Sequence, residues 1–350
     1  LLAAEMRFEK GEAKVQRIQV DPAAMEGRRV GLVVRIFGSA AKTGWDERAI
    51  KSVVDLMRSL VVEWQGRGLV EVQLDYDCPD SKLADYARLL MAVRTQLSPL
   101  KVTCTALPSW LPQKDFPRLA ELVPGYVLQV HSLHLPEGRQ QAVALVDLAE
   151  TKLAVERAVK IGVPFRVALP TYSCVVEFNA EGKVREVYAE DVPETLPLSS
   201  PSYVVLDADA YGMADLVSHW RAEAPALLES VVWYRLPVVG DRMNWPLEVL
   251  EKVVQGTPLK RGWSTSLEVS EAGHREIKIE QTGDAPDDLP PVVRVTWTGG
   301  EPLAADGLMG YQVAAMGPGI LALKLVNPGR MPRALPGTKL VIGWLRVEGE

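Results

Sequence analysis

The chain predicts an α/β fold: a (β/α)8 TIM-type barrel followed by a small all-β, sandwich-like domain. Apolar strand-like runs alternate with amphipathic helical segments from Leu1 to Gly256, the pattern of a parallel sheet covered by helices. The stretch Leu69-Val-Glu-Val-Gln-Leu-Asp-Tyr-Asp-Cys-Pro79 sharpens this reading. Side chains alternate faces along a strand, so Val70, Val72, Leu74 and Tyr76 share one face and Glu71, Gln73, Asp75 and Asp77 the other. The apolar face suits outer helices and the polar face a barrel axis. Polar residues at C-terminal strand ends are where barrel active sites are built. After Gly256 the runs become short and β-like, separated by Gly and Pro, which gives the second domain. A doubly wound sheet is the alternative, but no glycine-rich phosphate loop follows any strand.

Leu1–Val20 holds two strand-like runs around a hairpin turn at Lys10-Gly11-Glu12. Arg29–Phe37 is a near-continuous apolar run, interrupted by Arg35. Asp46–Gln65 carries apolar residues at helical spacing, with Gly66 and Gly68 as its stop. A helix from Ser81 to about Leu97 follows the Leu69 strand, then a strand Lys101–Leu107 ending in Pro108-Ser-Trp110. Asp115–Val123 predicts a short helix, Gly125–Ser132 a strand, Gln141–Ile161 a helix and Pro164–Tyr172 a strand. Runs at 175–178, 184–188 and 203–206 form a β excursion across about 174–206. Tyr211–Glu223 is helical, Ser230–Pro237 is the last barrel strand and Trp245–Val254 its helix. The domains are therefore 1–256 and 257–350, the second with strands at 264–269, 276–281, 292–298, 319–326 and 339–347. Seven barrel strands are one short of eight. Because the chain opens on Leu1-Leu2 inside a strand, the missing β/α unit is expected upstream, with any export signal.

A net charge of -6 and the absence of any basic patch argue against a nucleic-acid partner. No run is apolar enough to span a bilayer. Three cysteines, Cys78, Cys104 and Cys174, make no disulfide framework, and no zinc spacing occurs, so no metal or cofactor is expected.

If the strands line a barrel, Arg35, Asp75, Asp77, Thr105, Trp110, Gln129, His131, Tyr172, Trp233 and Arg235 gather at one end. Aromatic faces can stack on a pyranose ring while amide, imidazole and guanidinium groups fix its hydroxyls. Asp75 and Asp77 are the candidate catalytic pair, able to divide acid and base or nucleophile roles. The ordinary alternative is that Arg35 and Arg235 neutralise these carboxylates. Asp207, Asp209 and Asp241 are the other carboxylates near a strand end.

The segments Val72–Tyr86, Thr105–Leu111, Leu128–Ser132, Ala168–Tyr172, Val232–Pro237 and Asp241–Trp245 together resemble a bacterial family catalogued as domain of unknown function 3142. The resemblance covers about Leu1 to Gly256. It implies a glycosidase-like barrel with one more β/α unit in front, and export to the periplasm or exterior. Gln73-Leu-Asp-Tyr-Asp77 is also similar to the DxDxE strand of chitinase-type barrels, except that Pro79 stands where that motif has its acidic Glu. Two functions follow as expectations. One is a glycoside-hydrolase-like protein acting on an envelope or extracellular polysaccharide. The other is a non-catalytic glycan-binding or assembly protein, with a protein partner on the C-terminal β domain.

Overall fold

The computed structural model describes residues 1–9, 11–38, 44–131, 145–189, 193, 200, 202–238, 240–241, 243–271, 273–327 and 333–348. The chain divides into two compact units: 1–132, 147–169 and 223–233 form one, and 133–146, 170–222 and 234–350 the other.

The first unit is organised by one sheet. Its strands are β1 (Leu2–Glu9), β2 (Glu12–Arg17), β3 (Val30–Gly38), β4 (Leu69–Asp75), β5 (Lys101–Ala106), β6 (Tyr126–Gln129), β7 (Phe165–Pro170) and β11 (Leu228–Tyr234), taking β8 to β10 for the excursion described below. Their order is β11-β7-β6-β5-β4-β3-β1-β2. Neighbours from β1 through β7 pair in parallel, so the sheet is laid down in chain order. At its other edge, Phe165 N donates to Leu227 O and Thr171 N to Tyr234 O, which sets β11 parallel to β7. The seven predicted parallel strands are thus present. On its side away from β3, β1 pairs with the antiparallel β2.

Helices connect these strands: α1 (Glu47–Glu63), α2 (Leu83–Leu97), α3 (Phe116–Ala120) and α4 (Leu148–Ile161). Asp46 caps α1 by accepting from Ala49 N at 2.7 Å. Helix α4 begins later than its periodicity predicts. Asp147 accepts from Ala149 N and Glu150 N, a cap that fixes the start, and residues 145–147 are not helical. The predicted residues 141–144 lie outside the described residues. Between α1 and β4 the chain turns at Gly68 with φ +74°. A Cβ there would lie 2.0 Å from Arg28 O, so only glycine lets β4 start beside β3.

The helix-facing side of the sheet holds an aromatic chain. Phe8, Trp45, Tyr76, Tyr86, Trp110, Phe116, Tyr126 and Phe165 touch in succession with ring centroids 5.2–6.2 Å apart, mostly edge to face. The opposite side is polar, and it is concave. Arg166 on β7 pairs with Glu71 on β4 at 2.8 Å, although β5 and β6 lie between. The registers carry Arg166 to Val127, Thr105 and then Asp75, four residues beyond Glu71. In a flat sheet that offset would part the two Cα atoms by roughly 20 Å, further than two extended side chains reach. The sheet therefore curls around this face, with its strands tilted as curling requires.

In the second unit, β8 (Ser173–Phe178), β9 (Val184–Tyr188) and β10 (Tyr203–Asp207) form an antiparallel sheet of order β10-β8-β9, matching the predicted excursion. Helices α5 (Ala210–Ala222) and α6 (Leu247–Gln255) follow. The C-terminal region builds two further antiparallel sheets. One is β12 (Trp263–Val269), β13 (Arg275–Gln281), β18 (Lys339–Val347) and β15 (Pro302–Gly307); the other is β14 (Val292–Thr296), β17 (Ile320–Leu325) and β16 (Tyr311–Gly317). Ile277, Ile279, Leu321, Leu323, Ile342 and Leu345 lead one buried cluster, as alternating strands with one apolar face require. Strands β15 and β16 are additions to the five predicted there.

Candidate active site

The C-terminal end of β4 positions the carboxylates. Arg35 on β3 lies opposite Asp75 in the parallel register, so both side chains leave the same face. Arg35 Nε donates to Asp75 Oδ2 at 3.0 Å. One layer deeper, Gln73 Nε2 donates to Thr105 Oγ1 at 2.9 Å. Asp75 is mostly enclosed, its side chain 13% exposed, so the guanidinium is its charge partner in partial isolation from water. Asp75→Asn is expected to lower stability at pH 7 by about 1–3 kcal/mol, because it leaves that guanidinium uncompensated. A denaturant titration checks it, and an unchanged midpoint would mean the pair is no better than a surface ion pair.

Asp77 stands two residues further, past the end of the ladder, and its side chain meets solvent. Protein nevertheless crowds it on most sides. That desolvation raises its pKa from the ordinary 3.8 to about 6, helped by the neighbouring Asp75 charge and opposed by Arg35. The loop carrying it is fixed from both flanks. Trp110 Nε1 donates to Cys78 O at 3.2 Å, and Asp80 accepts from Ser109 Oγ at 2.9 Å and Gln113 Nε2 at 3.1 Å. A proton donor or acceptor is thereby held beside an ion-paired carboxylate. Burial pushes the Cys78 thiol up to about 12, so it offers no nucleophile there.

The other expected residues fall into distinct places. Gln129 lies on the concave face, its amide 3.4 Å from His131 O. His131 is buried, with Nδ1 3.4 Å from Ala168 O. Burial lowers its pKa to about 4, the Ala168 carbonyl opposing and Arg35 adding, so the imidazole is neutral at pH 7. Trp110, expected as a stacking surface, is fully buried in the aromatic chain against Tyr86 and Phe116, on the helix side of the sheet. It has no face to offer a sugar. Trp233, on β11, is half-buried.

Tyr172 and Arg235 belong to the second unit. Tyr172 is buried edge to face against Tyr234. Arg235 is held by Asp241 Oδ2 through Nε at 3.1 Å and Nη2 at 2.6 Å, while Nη1 donates to Ala189 O at 3.0 Å. It braces the loop after β11 rather than Asp75 or Asp77. Asp207 and Asp209 face Arg333 at 3.9 and 3.5 Å. Arg7, Phe37 and Asp80 went unnoticed in the sequence, though all three lie on or beside the same rim.

Among the described residues no group of three His, Cys, Asp or Glu could hold a metal ion, and no helix is long and apolar enough to cross a membrane. An apolar groove of about 610 Å³ lies at the opposite strand ends, between Val62, Leu69, Leu97 and Lys101, with no carboxylate in its lining.

A curled, largely parallel sheet with helices outside and carboxylates at its C-terminal rim defines an α/β architecture. The chain belongs to the family described as Domain of unknown function (DUF3142), whose profile matches residues 26–239. No curated protein matches the sequence. Among solved structures, the chain is similar to a chitinase from Chromobacterium violaceum, with 12% identity and a TM-score of 0.47 over 73% of this chain and 90% of that one. It is also similar to the spore cortex-lytic enzyme SleL from Bacillus cereus, with 10% identity and a TM-score of 0.47 over 73% and 66%. Chitinase ChiA74 from Bacillus thuringiensis gives 9% identity and a TM-score of 0.44 over 91% and 78%. Each is a likeness of chain arrangement alone.

Proposed function

We propose that the curled sheet closes as a (β/α)8-type barrel and acts on a polysaccharide in the manner of a glycoside hydrolase. Asp77 is the acid/base group, and Asp75, ion-paired with Arg35, is the partner that stabilises positive charge developing on the sugar. The observation that carries this reading is the position of Asp77: solvent-reachable, at the rim, and protonated over a higher pH range than an ordinary aspartate. A group with a pKa near the working pH is the efficient proton donor. Gln129 and Trp233 are substrate contacts in this scheme, residues 257–350 form a separate β module, and the protein works outside the cytoplasm on envelope or extracellular glycan.

A second reading, a non-catalytic glycan binder, is favoured by one observation. Asp207, Asp209 and Asp241 each face an arginine, so none is a free second carboxyl. Incubation with a panel of soluble polysaccharides separates the two. The enzyme reading predicts new reducing ends, with a rate maximum between about pH 5 and pH 7. Binding without new reducing ends supports the second reading, and neither binding nor release refutes both.

A further inference from the structure

The rim holds two guanidinium groups on one aromatic ring. Arg7, at the C-terminal part of β1, lies over Phe37 with its Cζ 4.6 Å from the ring centroid. Arg35 approaches the same ring at 5.4 Å. The β1–β3 register pairs Arg7 with Phe37 and Glu5 with Arg35, so these four side chains share the face that carries Asp75. Arg35 has a carboxylate partner in Asp75. Arg7 is exposed and has no ion pair among the described residues. Glu5 sits one pleat deeper on the same strand and makes no ion pair with Arg7.

Two like charges drawn to one ring repel each other, and the repulsion falls when an anion joins them. Arg35 has its anion as a hydrogen-bonded partner, whereas the carboxylate near Arg7, that of Glu9 two residues on along β1, is bonded to Lys14. Arg7 presents a planar fork of donors to solvent, pre-oriented by stacking on Phe37, in the geometry that suits a carboxylate. We infer that Arg7, seated on Phe37, is a subsite for a carboxylate borne by the glycan, so that the substrate is an acidic polysaccharide such as a uronic-acid polymer. This rests on the carbohydrate reading of the rim and adds its substrate class. A neutral glycan gives Arg7 no counter-charge, whereas a uronate beside the residue handled by Asp75 and Asp77 supplies one.

The test compares oligogalacturonate and oligoguluronate with neutral cello- and xylo-oligosaccharides of equal length, binding to the full chain by calorimetry. The wild type is expected to bind the acidic set more tightly, with affinity falling as salt rises. Arg7→Gln is expected to weaken acidic binding by about three- to tenfold, the range between an exposed ion pair and a charge-assisted one, and to leave neutral binding unchanged. Arg7→Lys should restore part of the loss, because it keeps the charge and loses the fork. Neutral glycans bound as tightly as acidic ones, with Arg7→Gln indifferent, would overturn the inference while leaving the carbohydrate reading intact. No binding to either set would overturn both. Matched melting curves for the Arg7 variants separate a lost contact from a lost fold.

Discussion

Asp77→Asn is expected to abolish glycan turnover, by about 10²–10⁴-fold, while preserving the fold. The amide is nearly isosteric with the carboxyl but cannot deliver or collect a proton. The effect on stability has an unusual sign, which distinguishes this residue from a salt-bridged aspartate. Burial raises the folded-state pKa to about 6, above the ordinary 3.8, so the folded protein holds the proton more tightly than the unfolded chain. Its contribution to stability is full below about pH 4 and is lost as pH rises towards 6. Above pH 6 the charged carboxylate is a burden to the fold, and the neutral amide removes it. Asp77→Asn should therefore be as stable as wild type at pH 4 and slightly more stable at pH 7, by on the order of 1 kcal/mol once contact with water is discounted. Asp75→Asn should instead be less stable than wild type at pH 7, because it leaves the Arg35 guanidinium uncompensated. Melting curves at both pH values, with the polysaccharide assay, check each part.

Trp110→Ala carries the largest expected cost to the fold, about 3–5 kcal/mol. The indole is completely enclosed, with Tyr86 at 6.0 Å and Phe116 at 6.2 Å by ring centroids. Removing it breaks the aromatic chain midway and deletes the bond from Nε1 to Cys78 O, one residue from Asp77. Catalysis should fall with stability, because the loop bearing Asp77 loses a support. Trp110→Phe isolates the two effects. It keeps a ring in the wall and loses only the hydrogen bond, at about 1 kcal/mol. Denaturant unfolding of both variants measures this. If Trp110→Ala left stability unchanged but erased glycan binding, the residue would be a sugar platform after all.

The sequence made the strand order and the carboxylate tip legible because those depend on local periodicity. Val72 and Leu74 against Gln73 and Asp75 leave no doubt about which face is polar, and Pro79 marks the strand's limit. Trp110 was misplaced for a different reason. A residue just past a strand end can turn either way, and the single turn Pro108–Trp110 returns the ring toward Tyr86 and Phe116. Arg7 was missed because its place opposite Phe37 depends on the β1–β3 register, which shifts between Leu2 and Ala4 and which no local pattern encodes. The Glu71–Arg166 pair depends on curvature across three strand steps, which no local pattern encodes. In the C-terminal region, β15 and β16 each carry a pair of alanines and almost no fully buried position, so they lack the β-branched alternation that marked their neighbours. Helix α4 shows the reverse error: apolar spacing extended it toward Gln141, while the Asp147 cap set its true start.

Asp77 is the central assignment, a proton-holding carboxyl at the rim of a curled sheet. Carboxyl carbon NMR of the full chain, with Asp77→Asn assigning the signal, measures that without knowledge of any substrate. The expected titration midpoint is about 6, moving upward in Arg35→Gln as the opposing charge is removed. A midpoint at the ordinary 3.8, unmoved in Arg35→Gln, would show an open surface aspartate and contradict the assignment of this rim as the active site.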